Sequence, residues 1–375
     1  MILVYNALSL VPDVADGAAT FSLNVLEHLP AVLNNDDFIV LACSGETRIR
    51  RGPNVTVKFV NRVGGAGARI LHETFLLERT LRRVRADVFV SPNESMPLRL
   101  PCPAVVVAQN LVYHRDGWRQ AFQGATAAQR VVSRVQAAYY RRAMPAAYRR
   151  AARIAAVSDT TARVLATKAG LDLDKTDVIY EGSNSILMPV PRGGVTRSRL
   201  LAVGTLAPYK GLQRAIELFA LLHRVRPELE LEIVGSSWRG FGSVLSDHAR
   251  RYEVEGAVRF VGALGGHELA QRYETALLLI HLSECESFGL PVAEAMYYGL
   301  PVVSSGSSSL REVTGGAALE ISRNLDDAAS AVLGLIDDPD QYQRLSDRGR
   351  RRAAELTWRA TAERLGNVIR AAGSG

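Results

Sequence analysis

Glu286 and Glu294 are carboxylates with seven residues between them, in Glu286-Ser-Phe-Gly-Leu-Pro-Val-Ala-Glu294. The apolar run Leu277–Leu282 ahead of them reads as a short buried strand, and the segment after Pro291 reads as a helix stopped at Gly299-Leu-Pro301. This spacing sets Glu286 on the loop leaving the strand and Glu294 about a turn or more into the helix. The backbone amides of Phe288, Gly289 and Leu290 then lie near a helix N-terminus, where an anion such as phosphate is well held. A carboxylate further along the same helix can accept hydrogen bonds from sugar hydroxyls. The combination suits a phosphate joined to polyols, as in a nucleotide sugar.

Loops of this kind need a scaffold. Short apolar runs alternate with helical patterns along the whole chain, with candidate strands at Ile2–Tyr5, Phe38–Ala42, Val55–Phe59, Val88–Val90, Ala104–Val107, Ile154–Val157 and Asp177–Tyr180. After the Pro/Gly-rich stretch Met188–Gly194 the pattern restarts, with strands at Leu200–Val203, Leu231–Val234, Val258–Val261, Leu277–Leu282 and Val302–Ser304. Such alternation predicts parallel sheets with crossover helices, that is, an α/β protein of two doubly wound Rossmann-like domains. Ligands are expected at the C-terminal ends of the strands, in the cleft between the domains. The predicted division is residues 1–184, a linker at 185–198, residues 199–355, and a terminal amphipathic helix within 356–375.

The 375 residues suit two domains. No window approaches eighteen uninterrupted apolar residues, so no transmembrane helix is expected, and the apolar N-terminus lacks the basic region of a signal peptide. Cys43, Cys102 and Cys285 are too far apart to form a metal-ligand pattern or a disulfide framework, which fits a reducing cytoplasm. The formal net charge is +7, and all of this excess falls in residues 1–184, where 23 Lys+Arg face 16 Asp+Glu. Its densest part, Arg130–Arg153, interleaves arginines with Tyr139, Tyr140 and Tyr148. That pattern suits an anionic lipid surface or, alternatively, a solvated face whose Arg stems cover the core. No nucleic-acid motif accompanies the basic charge, and no nucleic-acid partner is expected.

The Glu286–Glu294 element followed by Ala295-Met-Tyr-Tyr-Gly-Leu-Pro-Val-Val303 resembles the signature of retaining glycosyltransferases of family 4, which have the GT-B fold. Val203-Gly-Thr-Leu-Ala-Pro-Tyr-Lys-Gly-Leu212 resembles that family's phosphate element. Val157-Ser-Asp159 with Val178-Ile-Tyr-Glu-Gly182 resembles the end of its N-terminal domain. The ordered set spans nearly the whole chain.

The resemblance implies roles for individual residues. Lys210 is implied as the cation on the donor diphosphate, and the plain alternative is a solvated lysine at a helix start, where positive charge is slightly unfavourable. The family often has Arg where this chain has Thr205. Glu294 is implied to bind the ribose hydroxyls and Glu286 to lie by the transferred sugar. The donor set is completed by Ser287, Phe288, Gly289 and Leu290, with Gly235 and Leu264 on the base-binding loops. Gly17 sits in the loop that approaches phosphates and acceptor in the family, although a turn glycine would look the same. Gln109-Asn110 replaces a frequent His-Asp. Neither residue titrates, so Gln109 is left to hydrogen-bond the sugar, with His114 as a candidate substitute imidazole. Asp172-Leu-Asp174 reads as a turn, not a metal site. No metal and no resident cofactor are expected.

The expected protein is a retaining, metal-independent glycosyltransferase. It would move a hexose from a nucleotide-diphosphate sugar to a hydroxyl of a glycan, lipid-linked or other acceptor. A likeness of Val203–Pro208 to some mannosyltransferases points to GDP-mannose. The expected location is the cytoplasm, with peripheral attachment to the inner membrane face. The competing readings are an epimerase or phosphorylase on the same fold, and a non-catalytic nucleotide-sugar-binding relative. Alanine at Lys210 or Glu294 is expected to cut turnover with the fold intact.

Overall fold

The computed structural model describes residues 1–10, 17–33, 37–43, 48–49, 54–60, 65–114, 125–184 and 198–374. Most of the expected linker, and residues 13–16 of the loop ahead of Gly17, lie outside them. The chain divides into two compact units. One comprises Met1–His114, Ala137–Glu181 and Trp358–Gly375, and the other Arg115–Gln136 and Gly182–Thr357.

The first unit is built on strands β1 (Ile2–Ala7), β2 (Asp37–Cys43), β3 (Val55–Val60), β4 (Val88–Ser91), β5 (Ala104–Ala108), β6 (Arg153–Ala156) and β7 (Thr176–Val178). They form one sheet in the order β3-β2-β1-β4-β5-β6-β7, with every pairing parallel. Its centre is apolar on both faces, as a parallel sheet covered by helices requires: β4 and β5 are buried at every position. The helix Trp358–Gly373 closes this unit. Trp358 is fully buried and meets Phe21 edge-on at 6.0 Å, and Thr361 Oγ1 donates to the Tyr180 carbonyl at 2.6 Å.

The second unit carries β8 (Arg199–Val203), β9 (Glu230–Val234), β10 (Val258–Gly262), β11 (Leu278–His281), β12 (Val302–Ser304) and β13 (Leu319–Glu320). They are again all parallel, in the order β10-β9-β8-β11-β12-β13. Helix Leu212–Val225 buries Ile216, Phe219 and Leu222 against this sheet. In each sheet the winding reverses beside the central strand, between β1 and β4 in the first and between β8 and β11 in the second. The loops leaving these strands therefore part to opposite sides and open a crevice, the usual ligand position in doubly wound sheets.

Candidate functional site

The crevice of the second unit is assembled by the loops that follow β8 and β11. Gly211 ends the short turn Pro208–Lys210 with φ +67, and a Cβ there would stand 2.0 Å from the Leu282 carbonyl oxygen. Only glycine allows that approach. Glu284 N–H also donates to the Tyr209 carbonyl at 3.0 Å, so the two loops are fastened by backbone. Lys210 and Glu286 meet as a result. The ammonium donates to both carboxylate oxygens, at 2.8 and 2.9 Å, and His281 Nε2 lies 2.9 Å from Glu286 Oε1. Burial disfavours the Glu286 charge, but the Lys210 ammonium and the His281 hydrogen bond outweigh it and bring the carboxyl down to about 2. Burial likewise opposes the Lys210 charge, and Glu286 and the neighbouring Tyr209 reverse this, leaving its pKa raised.

Gly289, with φ +106, caps the helix Leu290–Tyr297. Pro291 falls in the first helical turn, where its missing N–H leaves no gap in the hydrogen-bond ladder. Ser309 Oγ donates to the carbonyls of Glu286 and Phe288, both at 3.0 Å, and Ser308 Oγ to that of Glu286 at 2.7 Å. These contacts turn the segment Glu286–Phe288 by its oxygens. Phe288 is buried and Ser287 half-buried. Glu294, one turn into the helix, is 7% exposed and accepts from Tyr273 Oη at 3.0 Å. Burial pushes its carboxyl up to about 7 against that hydrogen bond. Thr205 is half-buried on the loop after β8, Gly235 follows β9, and Leu264 is half-buried after β10. The donor-side residues expected from the sequence thus gather at the C-terminal edge of one sheet.

In the first unit, Gln109 and Asn110 follow β5 directly. Both are held by Glu94 on the loop after β4. Its carboxylate accepts from Gln109 N–H at 2.9 Å, from Asn110 N–H at 3.1 Å, from the Asn110 side-chain amide, and from Tyr148 Oη at 3.4 Å. Gln109 Nε2 donates to the Pro92 carbonyl. His114 hydrogen-bonds the Lys168 backbone on the helix Asp159–Ala169, and its pKa is lowered by burial and by Arg141. Gly17, expected in a loop, is the exposed first residue of helix Gly17–Leu33. Asp172 caps a short turn by accepting from Asp174 N–H at 3.1 Å.

The family model described as Glycosyltransferase Family 4 matches residues 15–185, and that described as Glycosyl transferases group 1 matches residues 193–352. The chain belongs to the family 4, group 1 glycosyltransferases. It is similar to O-antigen chain mannosyltransferase B of Escherichia coli, with 32% identity over 160 residues, 42% of each chain. It is also similar to the MMP alpha-(1->4)-mannosyltransferase of Mycolicibacterium hassiacum, with 32% identity over 212 residues, 55% of this chain and 51% of that one. The chain spans about half the length of these curated relatives. Among solved structures, sucrose-phosphate synthase from Thermosynechococcus elongatus superposes with a TM-score of 0.74 at 19% identity, over 98% of both chains, a likeness of fold.

Three residues of this family 4 chain join the candidate sites without having been singled out in the sequence. His281 ends β11, and its signal was a lone histidine in the apolar run Leu277–Leu282, five residues before Glu286. Tyr273 and Glu94 carried no such signal, because their partners are 21 and up to 54 residues away in the chain. The tyrosines of the basic stretch Arg130–Arg153 also read differently in three dimensions. Tyr148 is fully buried on Glu94, and Tyr140 is buried, takes a hydrogen bond from Arg69 at 3.3 Å and stacks on Tyr113 at 4.4 Å. These two rings belong to the core and are not surface aromatics.

Proposed function

We propose that the protein is a retaining glycosyltransferase that moves a mannosyl group from GDP-mannose to a hydroxyl of a glycan or lipid-linked acceptor. The second unit takes the donor and the first takes the acceptor. The observation that carries the reading is the buried Lys210–Glu286 pair at the crevice between β8 and β11, with Glu294 one turn along the adjoining helix. A diphosphate entering there meets a ready cation and the amides of the first turn of that helix, and the ribose diol meets the Glu294 carboxylate. Lys210 stabilises the charge that grows on the departing phosphate. The bond from the anomeric carbon to the phosphate oxygen breaks, and the nucleoside diphosphate leaves with the electron pair. The acceptor oxygen bonds on the same face and its proton passes to a phosphate oxygen. Because Lys210 and helix amides do the neutralising, the reaction needs no metal and no resident cofactor. Two relatives named as mannosyltransferases support mannose as the sugar.

The same reading includes a membrane-surface acceptor. Leu71, Phe75 and Leu76 are exposed on the helical stretch 65–84, and Leu98, also exposed, is joined to it by its N–H donating to the Thr74 carbonyl at 3.0 Å. Arg150 donates to the Pro97 and Leu98 carbonyls at 2.6 and 2.9 Å, and Arg79, Arg82, Arg83 and Arg99 are exposed on the same two segments. An apolar patch with arginines beside it fits an anionic lipid surface. Among the described residues no helix is long and apolar enough to cross a bilayer.

The deciding experiment is a thermal-shift panel with GDP, UDP, dTDP and ADP, followed by transfer assays with the matching mannose or glucose donor. A nucleotide at a hundred times its dissociation constant adds about 2.7 kcal/mol to stability. A shift with GDP and release of GDP from GDP-mannose supports the reading. A shift with another nucleotide only overturns the donor, and silence with all four overturns the donor site. Vesicle flotation with phosphatidylglycerol, at low and high salt, tests the membrane patch. Wild-type floating and Phe75→Ser with Leu98→Ser sinking is the expected pattern, and a wild-type protein that never floats overturns it.

A further inference from the structure

Glu94 sits at φ +56, a left-handed backbone position that a non-glycine residue occupies only when its surroundings hold it there. It is 1% exposed. A carboxylate so placed needs a reason, and its partners supply one: two main-chain N–H groups, one side-chain amide and one phenol, every one a donor. The loop that carries it is folded on itself, with Ser91 Oγ donating to the Ser95 carbonyl at 2.6 Å and to Asn93 Oδ1 at 3.3 Å. The Gln109 side chain, in turn, is tied to Pro92 on that loop.

We propose that Glu94 is a positioning residue that clasps the turn after β5 and so fixes where the Gln109 and Asn110 side chains point. It rests on the reading that this pair meets the sugar in transfer. A neutral Gln at position 94 keeps the volume but presents an N–H to a set of donors, so the clasp loosens without a cavity. A misplacement of about an ångström in a group that orients a reacting sugar is enough to lower turnover by up to about a hundredfold.

The charge state fits the same role. Burial pushes the Glu94 carboxyl up to about 7, with its four hydrogen bonds pulling the other way. The titratable groups facing it from the helix Ala127–Arg150 are Tyr148 and Tyr140, and burial raises the pKa of both phenols. Behind Tyr140 stand Arg69 and Glu73, paired at 3.8 Å. Through neutral pH the phenols keep their protons, and Glu94 gains one as the solution is acidified.

The test compares the full-length wild type with Glu94→Gln and with Glu94→Gln/Asn110→Asp. The double variant restores a donor facing an acceptor. Three measurements are made: GDP release from saturating GDP-mannose against pH, the KM for GDP-mannose, and hydrogen exchange of the Gln109 and Asn110 amides. In Glu94→Gln the rate at pH 8 is expected to fall about tenfold or more with the donor KM within about twofold. Its acid limb near pH 7 should vanish, and the two amides should exchange at least about tenfold faster. The double variant should recover the amide protection. A merely structural role would lower the melting temperature and leave the limb in place. Glu94→Gln with wild-type rate, pH limb and amide protection overturns the proposal. If the wild type releases no GDP, the functional reading fails, and unchanged amide exchange then separately removes the clasp.

Discussion

Lys210 donates to both oxygens of Glu286 across the crevice of the second sheet, although the two residues lie 76 apart in the chain. The side chains are 16% and 9% exposed, so each charge depends on the other for its solvation. This revises the expectation that Lys210→Ala spares the fold. Removing one member of a buried pair leaves an uncompensated charge and costs about 3–5 kcal/mol. Lys210→Ala should therefore lose that much stability in urea denaturation as well as its turnover. Lys210→Met with Glu286→Leu should recover most of the stability and none of the activity. A Lys210→Ala protein as stable as wild type would mean that the pair is solvated in solution.

Three of the buried carboxylates, Glu286, Glu94 and Glu294, pull stability in opposite directions with pH. Glu286 is held at about 2, below its ordinary 4.5, so its contribution is complete above about 4.5 and drains away as pH falls towards 2. Glu94 and Glu294 are raised from 4.5 to about 7. The folded state binds protons there that the unfolded chain has released, so their effect is to lower stability as pH rises from about 4.5 through 7. Calorimetry of the ligand-free protein should place the highest melting temperature on the acid side of neutrality. Glu94→Gln with Glu294→Gln should flatten the fall between pH 5 and 8. A wild-type melting temperature that climbs steadily from pH 5 to 8 would contradict this assignment.

On the proposed reading, Glu294 should also tie nucleotide binding to protons. In the free protein its carboxyl titrates near 7, and a ribose diol donating to it favours the ionised form. Binding at pH 6.5 should release a proton, and affinity for GDP should weaken up to about tenfold per pH unit below 7. Isothermal titration in buffers of different ionisation enthalpy measures the proton directly. In Glu294→Gln the buffer dependence should disappear and the affinity should fall. Equal heats in all buffers for the wild type would remove Glu294 from the ribose.

Much of this was legible in the sequence because parallel strands covered on both faces appear as apolar runs. Ala104–Ala108 is a strand under any pattern rule. The two-residue strand Leu319–Glu320 was not legible, since a leucine beside a glutamate shows no period. The loops after β8 and β11 were each recognisable, but their ion pair was not, because it depends on those strands being neighbours in the sheet. Glu94 was invisible for the same reason. Nothing in Ser91-Pro-Asn-Glu-Ser95 says that Tyr148 and the turn at Gln109 will close over it.

Gly211 offers the sharpest test of how the crevice between β8 and β11 is built. Alanine there must adopt φ +67, which costs about 1–3 kcal/mol. Its Cβ would also stand 2.0 Å from the Leu282 carbonyl oxygen and 2.6 Å from the carbonyl carbon. Those are backbone atoms of the chain leaving β11, so the clash is relieved only by spreading the loops that carry Lys210 and Glu286. Gly211→Ala should therefore lower stability by more than the backbone term alone and weaken GDP binding as well. Gly334 is the control. It lies inside the helix Leu325–Asp337 with nothing within 4 Å of an added Cβ, so Gly334→Ala should stabilise by about 1 kcal/mol and leave binding alone. If Gly211→Ala behaves like Gly334→Ala in urea denaturation and in GDP titration, the two loops are not fastened as described, and the pairing of Lys210 with Glu286 loses its support.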